Sequence, residues 1–236
     1  MVGVITAVTS ERDAILQKMT DIQKQVIYGI EFYKGKVNGK PCITAMSGIG
    51  KVNAARCTQV MIDRFKPDYI INIGSAGGLH PELKIGDVVI STACIQYDVD
   101  LTAFGIAKGA FEEGDDGFIK ADPQLAAQCE AAMERCVAGQ YKVLMGPIAT
   151  GDQFNDSPTV KEELYREFGA YCNEMEGAAV AAVCAACQVP FVVIRSISDN
   201  SDEDGLTMYE NFKRLAAERC VHFFINLLDE LGGVNE

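Results

Sequence analysis

Between Tyr171 and Asn200 the chain carries two acids, Glu174 and Glu176, and then Arg195, Ser196, Ser198 and Asp199 in quick succession. An Ala- and Val-rich stretch and an apolar run, FVVI at 191–194, separate the two groups. Elsewhere Glu11, Ser75 and Phe154 each stand near the end of a predicted strand. Several carboxylates can divide acid–base work among themselves. One binds a pair of sugar hydroxyls, one donates a proton to a leaving base, and one activates water. An aromatic ring on a polar loop can stack on a planar ring. This set fits a neutral, polyhydroxylated, ring-bearing ligand. Cleavage between ribose and a purine needs such tools, because the transition state is oxocarbenium-like and the departing base must be neutralised.

Each residue also has a plainer reading. Glu11 falls in the first turn of a predicted helix, where an acid complements the helix dipole, or it is a carboxylate held at a strand end. Phe154 is a loop anchor or a stacking platform. The turn SGIGKVNAA (47–55) runs into a helix and can cradle a phosphate or bring backbone close to a neutral ligand. Lys51 lacks the following Ser or Thr of a Walker motif. INIGSAGG (71–78) offers no Arg or Lys to a phosphate.

The elements that must position these groups alternate. Residues 2–8 read as a buried strand, with Thr9 or Ser10 capping the helix that follows. Residues 26–37 and 41–46 read as strands joined by an Asn38-Gly39 hairpin turn. A helix to Phe65 leads to strands at 69–74, ending in SAGG (75–78), and at 88–98. Residues 100–118 form a long loop with apolar content, an interface pattern. Helices are predicted at 122–138, 158–168, 176–187 and 207–231, and strands at 142–150 and 191–194. The class is α/β with a mostly parallel or mixed sheet, in one domain over 1–236. Ligands of such sheets gather at the carboxyl ends of strands, so Arg195, Ser198 and Asp199, directly after 191–194, mark the expected site.

A net charge of −12 argues against a nucleic-acid partner, which needs a basic stripe. No apolar run reaches the length of a membrane span, and MVGVITAVTSERD turns charged too early for a signal peptide. Nine cysteines at irregular spacings suit reduced thiols in a cytoplasm. The pair Cys184 and Cys187 lies inside the Ala-rich helix and reads as core thiols. Two histidines, His80 and His222, leave no His-based metal site or Ser–His triad.

The motifs SGIGKVNAA, INIGSAGG, LTAFG, TGDQF, EMEGAA and VVIRSISD, in this order, resemble those of 5′-methylthioadenosine/S-adenosylhomocysteine nucleosidases, in the nucleoside phosphorylase/hydrolase superfamily. The resemblance runs from about Gly3 to the last helix. It implies a three-layer α/β/α sandwich around a twisted mixed sheet, a homodimer, and no metal or cofactor. By this resemblance Asp199 protonates purine N7, oriented by Ser198, and Glu11 activates water with Arg195 and Ser75. Glu176 binds the ribose hydroxyls beside Glu174 and Met175, Phe154 stacks on the purine, and the Asn155 backbone reads the adenine edge. Ile49 and Tyr209 line the 5′-substituent pocket, Val8 and Gly77 are among the substrate-binding residues, and Leu101 reaches into the neighbouring subunit's site. Val8 in place of Met, Asn155 in place of an aliphatic residue and Ile106 in place of an aromatic leave the 5′-group preference open. The rival expectations are a purine nucleoside phosphorylase, a hydrolase of another 5′-modified adenine nucleoside such as aminodeoxyfutalosine, and a nucleoside sensor without catalysis.

Overall fold

The computed structural model describes residues 1–199 other than 138 and 156, together with 224 and 226–228. Tyr209 and most of the predicted closing helix at 207–231 lie outside these residues; residues 224 and 226–228 are helical. In chain order the elements are β1 (Val2–Thr6), α1 (Thr9–Leu16), β2 (Met19–Ile27), β3 (Ile30–Val37), β4 (Lys40–Met46), α2 (Lys51–Phe65), β5 (Tyr69–Gly78) and β6 (Val88–Gln96). A single 3-10 turn (Thr102–Phe104) precedes β7 (Ile119–Lys120). Then come α3 (Pro123–Val137), β8 (Val143–Thr150), α4 (Pro158–Phe168), β9 (Cys172–Glu174), α5 (Gly177–Ala186) and β10 (Phe191–Asp199).

The mixed sheet runs β10-β6-β8-β9-β5-β1-β4-β3-β2, and β10 also pairs with β5. Five strands therefore close into a ring, and β1, β4, β3 and β2 extend from β5 as an open arm. The two helical layers follow from strand alternation, since successive side chains point to opposite faces. Val193 and Ile197 pack with Ala54, Met61 and Val180 of α2 and α5. Val192 and Ile194 pack on the other face with Leu125 and Met133 of α3, Ile15 of α1 and Phe224. Small residues on α5 let it lie close to the sheet: a Cβ on Gly177 would stand 3.0 Å from Val193 Cγ1. No helix among the described residues is long and apolar enough to cross a membrane.

Several local expectations change. The stretch 26–37 is not one strand, because Tyr28 and Gly29 take φ of 51° and 80° and make a second tight hairpin. The predicted turn at Asn38-Gly39 is present, with φ of 49° and 79°. The helix cap is Val8 rather than Thr9 or Ser10. Both ligand-lining strands run further than their apolar cores: β5 continues through SAGG, and β10 through Arg195, Ser196, Ser198 and Asp199. Cys184 is buried in α5 as a core thiol, and Cys187 is half-buried at its end.

One edge of β5 matters most. Its pairing with parallel β1 ends at Asn72, and its pairing with antiparallel β9 begins at Gly77. Between them the ladder on that side parts, and a crevice opens at residues 73–76. On the other side β10 stays paired, with a register shift between Ile197 and Asp199 that sets Asp199 opposite Gly77. Bulges of this kind re-aim side chains beside functional sites.

Candidate active site

The crevice is a cavity of about 330 Å³ at the carboxyl ends of β1, β5 and β10. The segment from β1 into α1 contributes Val8 and Glu11, and the turn before α2 contributes Ile49. From β5 come Ser75 and Gly77, and from the loop after β8 come Phe154 and Asn155. The junction of β9 and α5 brings Glu174, Met175 and Glu176, and β10 brings Arg195, Ser198 and Asp199. Of the described candidates only Leu101 does not line the cavity; it is half-buried in the loop after β6.

Glu11 satisfies both of its readings at once. Its Oε2 accepts from the backbone N–H groups of Ala7 at 3.0 Å and Val8 at 3.2 Å, so the acid caps the helix that Val8 cannot cap. The same carboxyl is 4% exposed and faces the cavity. Burial raises its pKa above the ordinary glutamate value, while the Arg195 charge and the N–H groups of Ala7, Val8 and Ser75 pull it back. Gly74 permits this arrangement: a Cβ there would stand 3.3 Å from Glu11 Oε1 and 3.5 Å from Arg195 Nη1.

Glu174 has a different part from the one expected of it. Its carboxylate is consumed inside the protein, accepting from the Thr150 hydroxyl, the Arg195 guanidinium, and the N–H groups of Glu176 and Gly177 at 2.9 Å and 2.7 Å. It caps the N-terminus of α5, where an anion is favoured. Arg195, 1% exposed, also donates to Asn72 Oδ1 at 2.6 Å and to the Asn72 carbonyl at 3.2 Å. Removing one member of a buried ion pair leaves the other charge uncompensated. Arg195→Met is therefore expected to cost about 3–5 kcal/mol of stability, and Arg195→Met with Glu174→Gln to recover part of it. Urea unfolding measures both; a loss under about 1 kcal/mol for the single change removes the pair from the fold's supports.

Glu176 accepts from the Gly50 N–H at 2.8 Å, and Asp152 accepts from the Lys51 N–H at 2.8 Å. The N-terminus of α2, which the sequence offered as a phosphate cradle, is thus occupied by the protein's own carboxylates. Burial pushes the Glu176 carboxyl up to about 7 and the neighbouring Glu174 adds to the rise, against Arg195 and the Gly50 N–H. Glu176 also lines the cavity.

Asp199, 2% exposed, accepts from Ser198 Oγ at 2.9 Å through Oδ1, and from Lys161 Nζ at 2.6 Å through Oδ2. Lys161 is fully buried on α4. Sequence reasoning missed it, because a lone Lys in the polar pattern VKEELYRE reads as a solvated face. It also passed over Asn173, a buried polar residue in a three-residue strand too short to show alternation. Phe154 is 47% exposed, so it is a ring presented to the cavity mouth and not an anchor in the core. The Asn155 side chain donates to the Tyr97 hydroxyl at 2.7 Å, which ties the loop to Tyr97 at the cavity wall.

The geometry can therefore bind a sugar diol at Glu176, stack a ring on Phe154, hold water at Glu11 and address the far edge of a base from Asp199. Over residues 1–230 the chain matches the Phosphorylase superfamily. It is 42% identical over 221 residues to a 5′-methylthioadenosine/S-adenosylhomocysteine nucleosidase of Marinomonas sp., covering 92% of this chain and 94% of that protein. Its structure is similar to the 5′-methylthioadenosine/S-adenosylhomocysteine nucleosidase from Neisseria meningitidis in complex with methylthio-immucillin-A. That match has a TM-score of 0.90 at 35% identity, covering 96% of this chain and 97% of that one. It is equally similar to the futalosine hydrolase of Helicobacter pylori, with a TM-score of 0.90 at 36% identity over 97% of both chains.

Proposed function

The chain belongs to the 5′-methylthioadenosine/S-adenosylhomocysteine nucleosidase family of the phosphorylase superfamily, and on that premise we propose that it hydrolyses the N-glycosidic bond of these two nucleosides. The products are adenine and the 5′-thio-substituted ribose. Glu176 takes the ribose 2′- and 3′-hydroxyls beside Met175, and Phe154 stacks on the purine. Asp199, oriented by Ser198, gives a proton to N7 as the bond from C1′ to N9 breaks, and the Lys161 ammonium 2.6 Å away supplies that proton to Asp199. Glu11 takes a proton from the water that attacks C1′, with Ser75 and Arg195 beside it. Ile49 and Val8 face the 5′-substituent, and the Asn155 backbone faces the base.

The observation that carries hydrolysis over phosphorolysis is the state of the charges. Arg195 is bonded to Glu174 and Asn72, and the buried Glu11 carboxylate stands beside it. A phosphate dianion there would meet a like charge and an already committed guanidinium. The test is adenine release from 5′-methylthioadenosine in phosphate-free buffer. Adenine with free methylthioribose is expected, at a rate unchanged by added phosphate; product only with phosphate, as a sugar 1-phosphate, reverses the assignment.

The likeness to a futalosine hydrolase supports a second reading, in which another 5′-modified adenine nucleoside is the preferred substrate. Acid, water and ribose ligand are shared by both, so a panel of nucleosides differing only at the 5′-position decides. The loop at 100–118 exposes Phe104 at 80% and Phe111 at 54%, which supports a homodimer built on that loop with Leu101 reaching the neighbouring site. The thiols of the described cysteines are free, in keeping with a reducing cytoplasm.

A further inference from the structure

We propose that Asn173 sets the choice of base, its amide oxygen accepting a hydrogen bond from the 6-amino group of the purine. The inference rests on the part of that reading that places purine N7 at Asp199. Gly77 pairs with Asn173 on one side and with Asp199 on the other, so the two side chains flank the same residue of β5. Their ends converge over it: a Cβ on Gly77 would stand 2.9 Å from Asn173 Oδ1 and 3.0 Å from Asp199 Oδ2. Both residues line the cavity. Asn173 is 6% exposed, and its Oδ1 is buried without a hydrogen-bond partner among the described residues.

A buried amide oxygen with nothing to accept costs about 1–3 kcal/mol, and a ligand that donates to it removes that cost. On a purine, N7 and the 6-substituent share one edge. A group that reaches N7 therefore has a neighbour that reaches position 6. Asn matches this edge of adenine in general, because its amide is complementary to a donor beside an acceptor. A 6-oxo group would set acceptor against acceptor unless the amide turned over, and turning over would carry its NH2 toward Lys161, whose Cε lies 3.5 Å from the same Cβ position that Oδ1 approaches; buried groups left unpaired reject an analogue strongly. Lys161, whose ammonium bonds Asp199 Oδ2, is the donor nearby that would instead suit a 6-oxo base.

The experiment is calorimetric binding of free adenine and free hypoxanthine to the wild type, Asn173→Val and Asn173→Leu, with hydrolysis of 5′-methylthioadenosine and its 6-oxo counterpart alongside. Valine suits a strand and leucine keeps the branching at Cγ, so thermal melts select whichever variant folds like the wild type. The expected result is a wild-type preference for adenine that falls by about tenfold or more in the variants, through weaker adenine binding alone. Equal weakening of both bases, an unchanged preference, or a wild-type preference for hypoxanthine overturns the proposal. If no nucleoside is cleaved but adenine preference still follows Asn173, the hydrolase reading fails and this one stands. Intact hydrolysis with an unchanged base ratio sinks this one alone.

Discussion

Asp199→Asn is expected to lower the hydrolysis of 5′-methylthioadenosine by about 10²–10⁴-fold while nucleoside binding persists. Asparagine keeps the shape of the side chain and can accept from Ser198, but it has no proton to transfer to N7. The base then leaves as an anion, and the barrier rises although the ground-state contacts at Glu176 and Phe154 remain. The change also disturbs a buried pair, since Lys161 Nζ lies 2.6 Å from Oδ2. Losing one member of such a pair destabilises, so the melting temperature falls as well. Lys161→Met in the same chain should recover part of the stability and none of the rate. That comparison separates chemistry from folding. A single variant within tenfold of the wild-type rate removes Asp199 from the acid's role.

Glu11→Gln should reduce turnover by a similar factor of about 10²–10⁴, with the opposite effect on stability. Glutamine can still accept from the N–H groups of Ala7 and Val8, so the cap on α1 survives. It cannot take a proton from water. Burial raises the folded-state pKa of Glu11, which means the fold disfavours its ionised form. Such a group supports folding at pH below its unfolded pKa, and that support is lost as pH rises through the folded value. At neutral pH the wild type carries this penalty and the Gln variant does not. The variant is therefore expected to melt at an equal or higher temperature at pH 7, an advantage that shrinks toward acid pH. The same raised value predicts that wild-type kcat/KM falls, on acidification, at a pH above the ordinary glutamate range. The residual activity of the variant should keep only the limb that Glu176 sets near pH 7, so the fall is less steep than in the wild type. A variant with a normal rate, or one with the full wild-type profile, assigns water activation elsewhere.

Much of the fold was written locally. Apolar runs at 2–8, 69–74 and 191–194 needed no partner to be recognised as buried strands, and Asn38-Gly39 could hardly be anything but a hairpin turn. The crevice was legible too, because small or polar residues after buried strands mark carboxyl ends in an α/β sheet. Chain order alone therefore brought Glu11, Ser75, Phe154, Glu176 and Asp199 into consideration.

Pairing was another matter. Arg195 through Asp199 look like the start of a loop, and they are strand because partners from far along the chain make their burial tolerable. The Arg195–Asn72 bond spans 123 positions, Arg195–Glu174 spans 21 and Lys161–Asp199 spans 38. A sequence names the groups that need partners, through their cost when buried alone, but only the closed ring of strands chooses among the candidates. That choice made Glu174 a structural anchor and left Glu176 to the cavity, though the two are separated only by Met175. It also set Lys161 and Asn173 against Asp199, which no local pattern foretold. The sequence by itself determined which chemistry was available and at which end of the sheet. Tertiary structure decided which acid was free to perform it, because a buried carboxylate is defined by the donors that reach it.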